Sequence, residues 1–139
     1  MKIDYMIASL AFATALAAPQ PVFAAKVVFT ATLTGSNEPA GGDADGTGSF
    51  SAEIDANAGD FCYVYTADKI AKPTMMHVHS GATGTNGPPV ITLELVSDVC
   101  IAVDPEVLKA IIANPANYYV NFHNAEFPAG ALRGQLAAK

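Results

Sequence analysis

Apolar and polar residues alternate in short runs along much of this chain, and the runs are separated by clusters of glycine, proline, asparagine and aspartate. From Lys26 to Thr34, Val27, Phe29, Ala31 and Leu33 fall on one face and Thr30, Thr32 and Thr34 on the other, which is the pattern of a half-buried strand. The stretch from Gly35 to Gly42 holds turn residues. Thr47 to Asp55 alternates again with Phe50, Ala52 and Ile54 inward, and Asn57 to Asp60 turns the chain into a third strand, Phe61 to Thr66. Met75 to Ser80 reads as a strand that ends at Gly81, and Gly81 to Pro89 as a long exposed loop. Val90 to Ser97 is the next alternating run, with Ile91, Leu93 and Leu95 on its buried side, and Tyr118–His123 and Gly130–Ala137 are the last two.

One stretch follows a different period. Asp104 can cap free amides, Pro105 suits a first helical position, Leu108, Ile111 and Ile112 form an apolar stripe, and Pro115 stops the run. A short helix is therefore expected over 104–113. About seven short strands with turns roughly every eight to twelve residues predict an all-β fold, a β-sandwich or Greek-key barrel.

The first residues stand apart. Met1-Lys2 precedes an apolar run from about Met6 to Ala18, Pro19-Gln20-Pro21 breaks it, and Val22-Phe23-Ala24 suits a cleavage site. This predicts a secretory signal peptide over 1–24, too short for a membrane span, and a single domain over 25–139 in the periplasm or outside the cell. No later run is apolar enough to span a bilayer, and a monomer or weak oligomer is expected. The formal net charge of −6 survives removal of the signal, since it takes away one lysine and one aspartate, and Arg133 is the sole arginine. Without a basic patch, nucleic acid is a poor partner. Cys62 and Cys100 are the only cysteines. In an oxidising compartment they read as a disulfide, with two buried thiols as the alternative.

Candidate chemistry centres on Met75-Met76-His77-Val78-His79. Residues two apart on a strand share a face, so His77, His79 and Met75 project together, and His123 with Asn121 takes the face of its strand opposite Val120 and Phe122. His-x-His on one strand plus a histidine on another can place three imidazole nitrogens at about 2.0–2.1 Å from a zinc or copper ion, and the soft thioether of Met75 would tilt such a site towards copper. The alternative is a set of hydrogen-bonded structural histidines at a sheet end. In the metal-binding reading Asn121 or Glu38 would stand behind the ligands, and Arg133 is expected to fix structure through a carboxylate, with Glu38 as its candidate partner. Asp43-Ala44-Asp45-Gly46 resembles the opening of a calcium loop, but Ile54 stands where the bidentate glutamate belongs, so a solvated turn is expected. No Gly-x-Ser-x-Gly elbow or paired-carboxylate arrangement singles out catalysis. A superoxide-dismutase-like enzyme is disfavoured because three histidines leave none to bridge a second metal.

His77-Val78-His79-Ser80-Gly81, Asn86-Gly87-Pro88, Tyr118–His123 and Pro128–Leu136, together with Leu33–Pro39, resemble the CHRD domain, found in chordin and in many bacterial secreted proteins. The resemblance implies an immunoglobulin-like sandwich and picks out Glu38, His77, His79, Asn121, His123, Gly130, Arg133 and Gly134. It also implies a cysteine pair at Cys62 and Cys100. Asn124 stands where the family usually has threonine, and Glu38-Pro39-Ala40 is a shortened form of the usual motif. The family lends no secure activity, so the expected function is a binding module for a protein or surface partner, with a candidate mononuclear copper or zinc site at the histidines.

Overall fold

The computed structural model describes residues 26–139, so the expected signal peptide lies outside the described residues. Nine strands follow in chain order: β1 (Val27–Thr34), β2 (Thr47–Asp55), β3 (Asp60–Asp68), β4 (Met75–Ser80), β5 (Pro89–Leu93), β6 (Val99–Ala102), β7 (Tyr118–His123), β8 (Leu132–Gln135) and β9 (Ala137–Ala138). They form one antiparallel sheet in the order β5-β4-β7-β8-β1-β2-β3-β6, with β9 added to β1. The expected all-β sandwich or barrel is what the chain forms.

The sheet curls until its two halves face each other across one core. Phe29 and Leu33 from β1, Phe50 and Ile54 from β2 and Phe61 from β3 meet Met76 and Val78 from β4 and Val120 and Phe122 from β7. Tyr65 of β3 lies edge-on to Phe122 of β7, with ring centroids 5.1 Å apart although four sheet positions separate the strands. The Tyr63 hydroxyl secures the closure: it donates to the Glu94 carbonyl and accepts from the Glu94 amide, at 2.9 and 2.7 Å. A buried phenol thereby has both hydrogen-bonding roles satisfied.

Helix α1 (Pro105–Ala113) begins as expected, with the Asp104 carboxylate accepting from the Glu106 amide, and it buries Leu108 and Ile111 in the same core. Two expectations about the strands need correction, and one strand was not expected. The run from Val90 ends as a strand at Leu93, and Leu95 is 38% exposed because the chain leaves the sheet there. The run from Gly130 to Ala137 is split at Leu136, with β8 extending along β7 and β9 pairing with β1. Val99–Ala102, too short to show a period, is an edge strand on β3.

Cys62 and Cys100 are directly opposite in the β3–β6 pairing and are joined by a disulfide, which settles the choice between a bridge and buried thiols. They tie down a four-residue edge strand whose one neighbour in the sheet is β3. Closing a loop with a sequence separation of 38 restricts the unfolded chain. The Cys62→Ser, Cys100→Ser double variant should lose about 2–4 kcal/mol of stability in denaturant titration, with the native circular dichroism retained.

Candidate metal centre

The pairing of β4 with β7 builds the site. In its register Met75 faces His123, His77 faces Asn121 and His79 faces Tyr119, while Met76, Val78, Phe122 and Val120 fall on the other face and enter the core. On the far side of β7, Asn121 is opposite Arg133 and Tyr119 opposite Gln135. Three adjacent strands thus present Met75, His77, His79, His123, Asn121, Tyr119, Arg133 and Gln135 on one surface. Only part of that surface is open to water: every residue of β7 from Tyr119 to His123 is buried, His77 and His79 are half-buried, and the loops 81–88 and 124–130 bring the Gly87 and Pro128 carbonyls onto it.

The three imidazoles converge as expected, with one potential ligand atom from each lying within 4.8 Å of the others. His77 Nδ1 is 3.3 Å from His123 Nε2. Ligand nitrogens bound to one ion at about 2.0–2.1 Å lie roughly 3.3–3.6 Å apart, so one pair already has the needed separation and no pair has to close by more than about 1.5 Å.

Backbone carbonyls set the tautomers. His79 Nδ1 lies 2.8 Å from the Gly87 carbonyl and His123 Nδ1 lies 2.9 Å from the Pro128 carbonyl. A carbonyl can only accept, so both Nδ1 atoms carry a proton, and in the neutral ring the lone pair is then on Nε2. This is the outer arrangement that orients metal-binding histidines. His77 Nδ1 can donate to His123 Nε2, but His79 Nε2 is buried with no partner.

The supporting carbonyls come from tightly built loops. Gly87 donates its amide to the Tyr119 hydroxyl and packs so closely on the Ser80 carbonyl that a Cβ could not fit. Asn124, fully buried, accepts from the amides of Glu126 and Phe127 and donates to the Ala71 carbonyl, which shapes the turn that delivers Pro128. Tyr119 stacks on His79, with planes 11° apart and centroids 4.9 Å apart. The sequence marked none of these three as part of the site. Gly87 in an Asn-Gly turn and the departure at Asn124 were signals of unusual backbone, but the atoms they serve are remote in sequence.

Arg133 is 2% exposed, yet Glu38 is not its ion-pair partner, contrary to expectation. Among the described residues the ion pairs are Lys26–Glu53 and Lys109–Glu106. The guanidinium instead donates to the Asn86 side chain and to the carbonyls of Ala82 and Thr85, at 3.2, 3.0 and 2.8 Å, and lies 3.4 Å over the Tyr119 ring. Arginine can do this because its planar fork serves several acceptors at once and stacks on an aromatic face. Glu38 instead accepts from the Asn121 amide, beneath Gly130, whose φ of 151° and missing Cβ make room for the carboxyl. Burial pushes the Glu38 carboxyl above its ordinary range, against the opposing pull of Arg133 and of the Asn121 amide. Asn121 Oδ1 is left buried without a partner. Met75 sits at the rim, 49% exposed.

A CHRD domain family model matches residues 29–136. The chain belongs to the CHRD family. No curated protein and no solved structure matches it. The match spans nearly all the described strands, so the histidine surface, the Glu38–Asn121 pair and the Arg133 clamp are parts of one CHRD domain.

Burial lowers the pKa of both His77 and His79. At His77 the neighbouring His123 and His79 add to this, and at His79 the Gly87 carbonyl opposes it while His123 and Arg133 reinforce it. Unfolded, both rings titrate near the ordinary value of 6.5. Between the folded and unfolded values the unfolded chain binds more protons, so stability falls as pH drops through that window. In the presence of a chelator, the thermal midpoint of the CHRD domain should therefore fall between about pH 7.5 and pH 5, and His77→Gln, His79→Gln should flatten the profile. A second outcome follows from the arginine contacts. Arg133→Lys should lower stability by about 1–3 kcal/mol through lost loop bonds, whereas Glu38→Gln at neutral pH should not. Equal losses in both variants would restore the arginine–glutamate pair.

Proposed function

We propose that this protein is a secreted or periplasmic CHRD module that binds one transition-metal ion, zinc or copper, through His77, His79 and His123. The observation that carries the reading is His79 Nε2, buried with no hydrogen-bond partner in a ring that belongs to the three-histidine cluster. A purely structural trio would leave that atom unsatisfied at a cost of about 1–3 kcal/mol, whereas coordination uses it. The donor chemistry agrees: three neutral imidazoles are suitable ligands for either metal.

The residues have distinct roles. His79 and His123 offer Nε2, their Nδ1 protons being held by Gly87 and Pro128. His77 offers Nδ1, and the proton that it shares with His123 in the metal-free protein moves to its own Nε2. Three protein ligands leave a position for water, an outside ligand or Met75, and a bound ion supplies Lewis acidity there. The disulfide fits an oxidising compartment. Among the described residues, no helix is long and apolar enough to cross a membrane.

Metal titration of the purified protein beside His79→Ala tests the reading. About one equivalent should bind tightly to the parent and be lost in the variant, which should keep its native circular dichroism. Absence of binding, or equal binding by both proteins, would leave the histidines structural.

A further inference from the structure

We infer that the site selects monovalent copper over zinc and divalent copper, with Met75 completing the coordination. This rests on the metal reading above and names the ion.

The first argument is charge. Apart from the three imidazoles, no histidine, cysteine or carboxylate among the described residues joins the cluster, so the protein ligands bring no negative charge to the ion. A fixed positive charge stands close by instead. The Arg133 guanidinium lies on the Tyr119 ring at 3.4 Å, and that ring stacks on His79 at 4.9 Å. All its hydrogen bonds go to neutral acceptors, an Asn86 side chain and two backbone carbonyls. Glu38, the buried acid among the described residues, is engaged with Asn121 and forms no ion pair with the arginine. At about 11 Å, near the farthest that these contacts allow an ion on His79 to lie from the guanidinium, and at an effective dielectric constant of about 20, a unit charge disfavours each added unit of charge on the ion by on the order of tenfold. The penalty is smaller for a monovalent ion than for a divalent one.

The second argument is the donor at the rim. Met75 is directly across from His123 and on the same face as His77 and His79. It is one of four large apolar side chains left exposed among the described residues. Its thioether, on three rotatable bonds, can swing onto an ion held by the imidazoles. Soft sulfur added to neutral nitrogen favours monovalent copper, while zinc in a three-histidine site does better with water or an anion.

The test is an anaerobic titration with copper(I) against a chromophoric copper(I) chelator, beside zinc(II) and copper(II) titrations of the same protein and of Met75→Leu. Copper(I) should bind at least about tenfold more tightly than zinc(II) or copper(II), and Met75→Leu should weaken copper(I) by about tenfold while leaving zinc(II) unchanged. Zinc(II) or copper(II) binding as tightly as copper(I), or copper(I) affinity indifferent to Met75→Leu, would overturn the inference and leave the metal site standing. No binding of any of the three ions would remove both.

Discussion

The pairing of β4 with β7 is the constraint on which the rest depends. Side chains on a strand alternate, so this register sends Met76, Val78, Val120 and Phe122 into the core and His77, His79, Asn121 and His123 to the opposite face. A slip by one residue would put imidazoles into hydrocarbon and valines under the loops. Core packing and assembly of the site are therefore the same event. The hydrophobic stabilisation of the fold also holds the three rings at their mutual distances.

A strand with polar side chains on its outer face would normally leave that face to water. Here both faces of β7 are buried, which obliges each polar group to find a partner. The covering loops provide most of them through their backbone: Gly87 and Pro128 for the imidazoles, Ala82 and Thr85 for the guanidinium. Arg133 in turn holds the loop that presents Gly87. The arginine thus acts on His79 at one remove, through the loop and through the Tyr119 ring that both side chains touch. Among the described residues, two buried side-chain atoms remain without a partner, His79 Nε2 and Asn121 Oδ1, and both belong to this surface. In a network otherwise so fully satisfied, such exceptions point to a ligand more strongly than the histidine spacing alone does.

The electrostatics of the surface also follow from burial. A buried cation is costly unless hydrogen-bonded, and the loop carbonyls meet that need without cancelling its charge. A carboxylate partner would have neutralised it. Glu38, hydrogen-bonded to Asn121 and accommodated by Gly130, feels the arginine's charge without forming an ion pair with it. Burial disfavours the charged forms of His77 and His79, and the Arg133 charge reinforces this at His79.

Much of this was legible from the residues alone. Alternation located β1, β2, β3, β4 and β7, because a period of two survives wherever one face is buried, and the capping residues located α1. His-x-His and the face shared by Asn121 and His123 follow from the same period, so the convergence of three imidazoles could be expected. Short or interrupted strands, β6 and the split at Leu136, carry too few residues to show a period. Tertiary structure alone decided the partners. That Arg133 binds loop carbonyls instead of Glu38, that Tyr119 stacks on His79, and that Gly87 and Asn124 set the imidazole protons are contacts between residues far apart in sequence. Local pattern specifies which way a side chain points, but which backbone carbonyl arrives above it depends on how the covering loops close over the sheet.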